Sequence, residues 1–245
     1  MSDIVITAAQ TSSVKGDINA NVRIHAGYVR EAVRHKADFI IFPELSLTGY
    51  EPELASELAM SIDDPRLSPL RELAAKHEIT IAAGTPIFRA REKPGIGAIV
   101  ISPNGTSVYL KQHVTPDEKR HFSAGLVPCT VKVRGVSIGL AICADTSHAS
   151  HAEIAAKLGA SVYAAGVLFD DAESLWAPRF QQYAARHHMA ILMANYWGPS
   201  GGFVGVGKSG VWDEQERLIA AAPDGNALVI AERVSGTWKG TAIPM

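Results

Sequence analysis

The run Thr-Val-Lys-Val-Arg-Gly-Val-Ser-Ile-Gly-Leu-Ala-Ile-Cys-Ala-Asp (130–145) decides how this chain folds. Its two arms, Thr130 to Val133 and Val136 to Ile142, flank Arg134-Gly135, a pair suited to a two-residue hairpin turn. At Cys143 the composition switches from buried strand to polar turn, Ala144-Asp145-Thr146. The patterning then predicts a helix over 149–158, a strand over 161–165, a helix over 173–187 and a strand over 190–194. Hairpins need antiparallel neighbours and strand–helix–strand units need parallel ones, so the two together predict an α/β fold with mixed sheets.

The same alternation continues outward. Ile4 to Ala9 reads as a strand, and Asp17 is placed to cap a helix whose apolar positions are Ile18, Val22, Ala26, Val29 and Val33. Strands are expected over 38–42 and 79–88, with a helix over 67–77 between them. Gly97 to Ser102 and Ser107 to Leu110 flank Asn104-Gly105, a hairpin signal. After residue 194, short strands alternate around Gly210, Asp224-Gly225 and Gly236. No repeat, low-complexity tract or linker interrupts the chain, which predicts a single domain over 1–245. Two sheets, each covered by helices on its outer face, satisfy both patterns.

Three charged or nucleophilic groups stand where apolar runs stop. Cys143 ends Gly-Val-Ser-Ile-Gly-Leu-Ala-Ile (135–142), Glu44 follows Phe-Ile-Ile-Phe-Pro (39–43), and Lys111 follows Ser-Val-Tyr-Leu (107–110). A strand end can present a side chain to a ligand, and a nucleophile, a base and a fixed cation are the parts needed to cleave a carbon–nitrogen bond. An amide carbonyl is stabilised by resonance and its nitrogen is a poor leaving group. A free thiol, with a pKa of about 8.5, is only a few per cent thiolate at neutral pH, so it needs a neighbouring base or cation. Glu44 has the chemistry to take the thiol proton and pass it to departing ammonia, provided an apolar cleft raises its pKa. Lys111 and the backbone N–H of Ala144 suit an oxyanion.

Composition excludes other classes. The 245 residues are 47% hydrophobic and 20% charged, enough for a substantial core, and the formal net charge of −2 leaves no basic footprint for nucleic acid. A small neutral or weakly charged substrate is expected. The opening Met-Ser-Asp-Ile-Val-Ile-Thr shows no basic segment followed by an apolar one, so the expected location is cytoplasmic. The longest uncharged stretch, His187 to Gly207, carries Asn195, Pro199 and several glycines and does not read as a membrane span. Of the two cysteines, Cys129 faces Leu140 across the predicted hairpin, about 10 Å from Cys143 along the ladder, too far for a disulfide. Cys129 reads as a small core residue.

Here the sequence resembles the nitrilase or carbon–nitrogen hydrolase superfamily. The resemblance rests on Phe-Pro-Glu-Leu-Ser-Leu-Thr-Gly-Tyr (42–50), on Tyr-Leu-Lys-Gln-His (109–113) with Glu118-Lys-Arg-His-Phe and Gly125, and on Gly-Leu-Ala-Ile-Cys-Ala-Asp (139–145). Further echoes fall at Ala8-Ala9-Gln10, Gly159-Ala160 and Ala194-Asn195. The resemblance implies a four-layer α-β-β-α sandwich that pairs across a helical face into a homodimer. It implies Glu44 as base, Lys111 as oxyanion-binding lysine, Cys143 as nucleophile, and Glu118 as a second glutamate ordering the lysine and the attacking water. It also places the loop of Tyr50 near the substrate. Ala144 stands where the family often has an aromatic residue, His148-Ala149-Ser150 where it often has Phe-Pro-Glu, and Arg186-His187 where it commonly has Glu-Asn.

The expected reaction is hydrolysis of a small primary amide, with nitriles or N-carbamoyl compounds as alternatives for the same three residues. The short segment from Lys111 to Glu118 favours a general or ω-type amidase over a carbamoyl hydrolase. A binding or regulatory module on the same scaffold is the alternative of a different class. No organic cofactor is needed, and His148, His151, His187 and His188 fit no zinc spacing, so no metal is expected. His148 or His151 is a candidate pocket residue beyond Cys143. Phe169, Trp176, Tyr196 and Trp197 are candidate core or pocket aromatics. The glycines at 201, 202, 205, 207 and 210 read as a flexible turn and the start of a strand, not a nucleotide loop.

Overall fold

The computed structural model describes residues 3–171 and 176–245. Strand β1 (Ile4–Gln10) leads to helix α1 (Ile18–Arg34), followed by β2 (Phe39–Ile41), α2 (Ala55–Leu58), α3 (Ser68–His77) and β3 (Thr80–Ile87). A hairpin of β4 (Gly95–Ser102) and β5 (Gly105–Leu110) follows. The next unit runs through β6 (Thr130–Val133), β7 (Val136–Ile142), α4 (Ala149–Lys157), β8 (Val162–Val167), α5 (Trp176–His187) and β9 (Ala190–Asn195). A hairpin of β10 (Trp197–Ser200) and β11 (Phe203–Val206) precedes β12 (Gly210–Trp212), β13 (Leu218–Ala221), β14 (Ala227–Val234) and β15 (Thr237–Pro244). The expected start of α5 at Glu173 lies outside the described residues.

Both large sheets have a parallel centre and antiparallel flanks. One has the order β15-β14-β1-β2-β3-β4-β5 and the other β13-β12-β9-β8-β7-β6. The pairs β1·β2, β2·β3, β7·β8 and β8·β9 are parallel. Every residue of β2, β8 and β9 is buried, as parallel strands covered on both faces require. One core lies between the sheets, joining Ile6, Phe39 and Ala82 to Ile138, Val162 and Leu192. A second packs Val22 and Val29 of α1 and Leu70 of α3 on the first sheet, and a third packs Ala152 of α4 and Phe180 of α5 on the second. The result is the expected four-layer α-β-β-α sandwich.

Local chemistry accounts for the element boundaries. Asp17 caps α1 by accepting the N–H of Ala20 at 2.8 Å. Arg134 and Gly135 take φ values of 47° and 81°, as a two-residue turn between twisted strands demands. The other hairpin corrects the sequence reading. Ser102 pairs with Gly105, so Pro103 and Asn104 occupy the turn and Gly105, at φ 141°, opens β5. Proline fixes its own φ and lacks an N–H for the ladder, which suits the first turn position.

Helix α1 also braces the loop that follows β2. His25 is 1% exposed, stacks on Phe42 with ring centroids 3.9 Å apart, and contacts Asn21 O through Nδ1 and Ser46 Oγ through Nε2. Burial pushes its pKa down from 6.5 to about 4. The folded state therefore resists a proton that the unfolded chain accepts. The contribution of His25 is complete above pH 6.5 and is lost as pH falls towards 4, by about 3 kcal/mol over that window. Urea unfolding between pH 7 and 4 should show this slope, and His25→Gln should flatten it; an unchanged slope in the variant counts against a neutral buried His25.

Candidate active site

Glu44 is placed by backbone geometry. Phe42 N–H donates to Ala82 O at 2.9 Å, after which Pro43 ends the strand and Leu45 turns at φ 53°. Gly84 of β3 and Gly166 of β8 let this bend pass between the sheets. A Cβ at Gly84 would lie 2.3 Å from Pro43 O, and one at Gly166 would lie 2.5 Å from Phe42 O. Each sheet thus gives up one side chain to admit the backbone of Glu44.

Lys111 emerges from the end of β5 and is fully buried. Its Nζ donates to Glu44 Oε1 at 2.7 Å and to Glu118 Oε1 at 2.6 Å. Glu118 Oε1 also accepts the Tyr50 hydroxyl at 2.8 Å, and Glu118 Oε2 accepts the Thr115 N–H at 2.8 Å. Burial alone would lower the lysine pKa, but the negative charges of Glu44 and Glu118 beside it outweigh that and hold the ammonium above the ordinary lysine range. Glu44 has the opposite balance. Burial raises its carboxyl to about 7 against the pull of Lys111, and its Oε2 has no hydrogen-bond partner among the described residues.

Cys143 sits at the tip of β7 with φ 42°, a left-handed conformation that a non-glycine residue adopts at a cost. Its Sγ is 3.7 Å from Leu168 O. Burial and then the charge of Glu44 push the thiol pKa well up, with Lys111 opposing, so the resting side chain is a thiol. The turn is fixed by Asp145. Its Oδ1 accepts the N–H groups of Gln112 and His113 at 3.0 and 2.9 Å, and its Oδ2 accepts the Ile142 N–H at 3.0 Å and the Tyr109 hydroxyl at 2.6 Å. One buried carboxylate therefore ties the segment after Lys111 to the residue before Cys143.

Glu44, Glu118 and Cys143 open into a cleft of about 760 Å³ that Tyr50, Ala144 and Phe169 also line, with Lys111 buried behind them. His148 corrects the sequence reading, since it does not line the cleft. The short helical turn Cys143–Ser147 carries it outward, where it is exposed and stacks on His113 at 3.7 Å. His151 is buried between the hydroxyls of Tyr109 and Tyr163, at 2.8 Å from each. Tyr196 is core, with its hydroxyl 2.7 Å from Ser13 Oγ. Sequence reasoning missed Asp145 as an anchor and Phe203 as a cleft residue. The alternation around Gly201-Gly202 was a hairpin signal that the number of neighbouring glycines masked. Among the described residues no group of three or more His, Cys, Asp or Glu side chains is arranged to hold a metal ion.

Comparison with known proteins bears on the family and the fold. The family model described as carbon-nitrogen hydrolase matches residues 5–242. A probable nitrilase of Schizosaccharomyces pombe is 28% identical over 165 residues, covering 64% of this chain and 61% of that protein. A glutamine-dependent NAD(+) synthetase of Thermotoga maritima is 25% identical over 240 residues, covering 89% of this chain and 40% of that protein. An (R)-stereoselective amidase of a Pseudomonas species is 30% identical over 129 residues, covering 51% of this chain and 46% of that protein. The chain thus spans about two fifths to three fifths of the length of these curated relatives. Among solved structures, a double mutant of the amidase from Nesterenkonia sp. AN1 in complex with acrylamide superposes with a TM-score of 0.87 at 21% identity, covering 95% of this chain and 91% of that one.

Two outcomes follow from the geometry. Gly84→Ala and Gly166→Ala should each lower the urea unfolding free energy by about 1–3 kcal/mol, because the added methyl meets backbone that cannot rotate away; wild-type stability in both would mean that the bend is not clamped. Alkylation of Cys143 by iodoacetamide should accelerate as pH rises through about 7, following Glu44, and Glu44→Gln should remove that inflection. Cys129, whose thiol is raised by burial, should show no step near 7.

Proposed function

The chain belongs to the carbon–nitrogen hydrolase family, and from that premise we propose that it hydrolyses a small primary amide to a carboxylic acid and ammonia through a thioester on Cys143. One observation carries the reading. A carboxyl with a pKa near 7 and an unpartnered oxygen shares a cleft with a thiol, backed by a buried ammonium.

In the first half-reaction Glu44 takes the Sγ proton as sulfur attacks the carbonyl carbon. Because the resting thiol holds its proton firmly, transfer accompanies attack. Charge on the tetrahedral oxygen is met by Lys111 Nζ and the Ala144 N–H. The carbon–nitrogen bond breaks as Glu44 returns the proton to nitrogen, releasing ammonia. In the second half, Glu44 takes a proton from water, hydroxide oxygen adds to the thioester carbon, and the carbon–sulfur bond breaks. The sulfur regains the proton from Glu44. Glu118 holds Lys111 in place and orders the incoming water, while Tyr50 fixes Glu118.

The Nesterenkonia amidase supports an amide substrate, having been solved with acrylamide and with butyramide. The probable nitrilase keeps a nitrile as second reading, since the same thiol adds to a nitrile carbon. The reading includes one catalytic domain over the whole chain, a homodimer and a cytoplasmic location. No described helix is long and apolar enough to cross a membrane.

Ammonia release from a panel of small amides, nitriles and N-carbamoyl compounds tests the proposal. Release should favour amides and fall by at least about 10³-fold in Cys143→Ala, with the unfolding midpoint unchanged. With Glu44 as the ionised base, kcat/KM should rise with pH through about 7 and then level. Turnover retained by Cys143→Ala would sink the mechanism, and no release from any compound would favour a binding module.

A further inference from the structure

The hairpin β10–β11 belongs to neither large sheet, yet it contributes to the cleft. It is anchored on both sides of it. On one side Ser200 Oγ accepts the Tyr50 N–H at 2.8 Å, and Gly201 lies so close that a Cβ there would be 1.8 Å from Tyr50 O. On the other side the Val206 N–H donates to Phe169 O at 3.1 Å, while the Gly207 N–H donates to Tyr196 O at 2.8 Å and closes the base of the hairpin. The hairpin thus spans the two walls that carry Tyr50 and Phe169, and its turn cannot slide without disturbing Tyr50.

Phe203 is the side chain this strap presents to the cleft. It pairs across the hairpin with Ser200 and meets Tyr50 edge-on, with ring centroids 5.6 Å apart at 89°. The following Val204 does not line the cleft. Tyr50 is committed, because its hydroxyl donates to Glu118 and its N–H to Ser200. Phe203 has no polar commitment, remains 44% exposed, and shares the cleft with Leu54, Leu168 and Phe169. Charged side chains, among them Lys15, Glu53, Asp117 and Arg120, line other parts of the cleft, so Leu54, Leu168, Phe169 and Phe203 form its apolar portion, where the hydrocarbon of an acyl group held on Cys143 is best accommodated.

We propose that Phe203 is a specificity-determining residue that limits the reach of an apolar acyl group along the part of the cleft that Leu54, Leu168 and Phe169 line. This rests on the amide-hydrolase reading above. In a hydrophobic pocket one methylene more or less changes kcat/KM by roughly tenfold or more, so removing the ring should be visible in a chain-length series.

The test compares wild type, Phe203→Ala and Phe203→Trp on acetamide, butanamide, hexanamide and 3-phenylpropanamide. The kcat/KM ratio of hexanamide to acetamide should rise by about tenfold in Phe203→Ala and fall in Phe203→Trp. Tyr50→Phe, which removes the hydrogen bond to Glu118, should lower kcat on all four amides alike. A second assay measures alkylation of Cys143 by iodoacetamide and by 2-bromohexanamide, each normalised to its rate with free cysteine. Alkylation needs no amide turnover. If no amide is hydrolysed while this ratio still rises in Phe203→Ala, the hydrolase reading fails and the role of Phe203 in acyl reach stands. A hexanamide-to-acetamide ratio that stays within twofold of wild type or falls in Phe203→Ala, or an alkylation ratio that does so where no amide is hydrolysed, overturns the inference.

Discussion

Lys111 carries its ammonium into the gap between the two sheets, where water does not reach it. Desolvating an ammonium costs several kcal/mol, and the cost is recovered only when paired carboxyls stand in good geometry. Glu44 and Glu118, at 2.7 and 2.6 Å, provide that. The requirement propagates outward. Glu118 must be held by Thr115 and Tyr50, Tyr50 by Ser200, and Glu44 by the bend that two glycines admit. Loss of one carboxyl would leave the rest with an imperfectly compensated charge, so the cluster acts as a unit.

The same cluster separates two ionisations that would otherwise compete. Burial raises both the Glu44 carboxyl and the Cys143 thiol, and the negative charge of the first raises the second further. The ammonium opposes both shifts. The resulting site rests with the proton on sulfur and a carboxyl near its midpoint at neutral pH, which suits repeated proton transfers in both directions. Asp145 fixes where this happens without being part of the transfer. Its partners at Gln112 and Ile142 belong to segments whose relative placement sets the distance between cation and nucleophile.

Much of this was legible in the sequence because it is local. Strand and helix patterning placed β1, α1, α3 and the β6–β7 hairpin within a residue or two, and the abrupt ends of three apolar runs marked Glu44, Lys111 and Cys143. What escaped was set by contacts between distant residues. Asp145 bonds Gln112 33 positions away, and Tyr50 bonds Ser200 150 positions away. His148 lies only five residues after Cys143, yet a tight helical turn carries it out of the cleft. The Pro103-Asn104 turn was misplaced by one residue because Asn-Gly outweighed the ring constraint of the preceding proline.

Glu44 and Lys111 sit on the first sheet and Cys143 on the second, while β1 of the first sheet pairs with β14, residues 227–234. The three groups therefore meet only where the two sheets pack together, in a topology of high contact order that pairs strands from opposite ends of the described chain. A chain whose two sheets have not docked places neither Glu44 nor Lys111 beside Cys143, and its sulfur then has only the nucleophilicity of an ordinary cysteine.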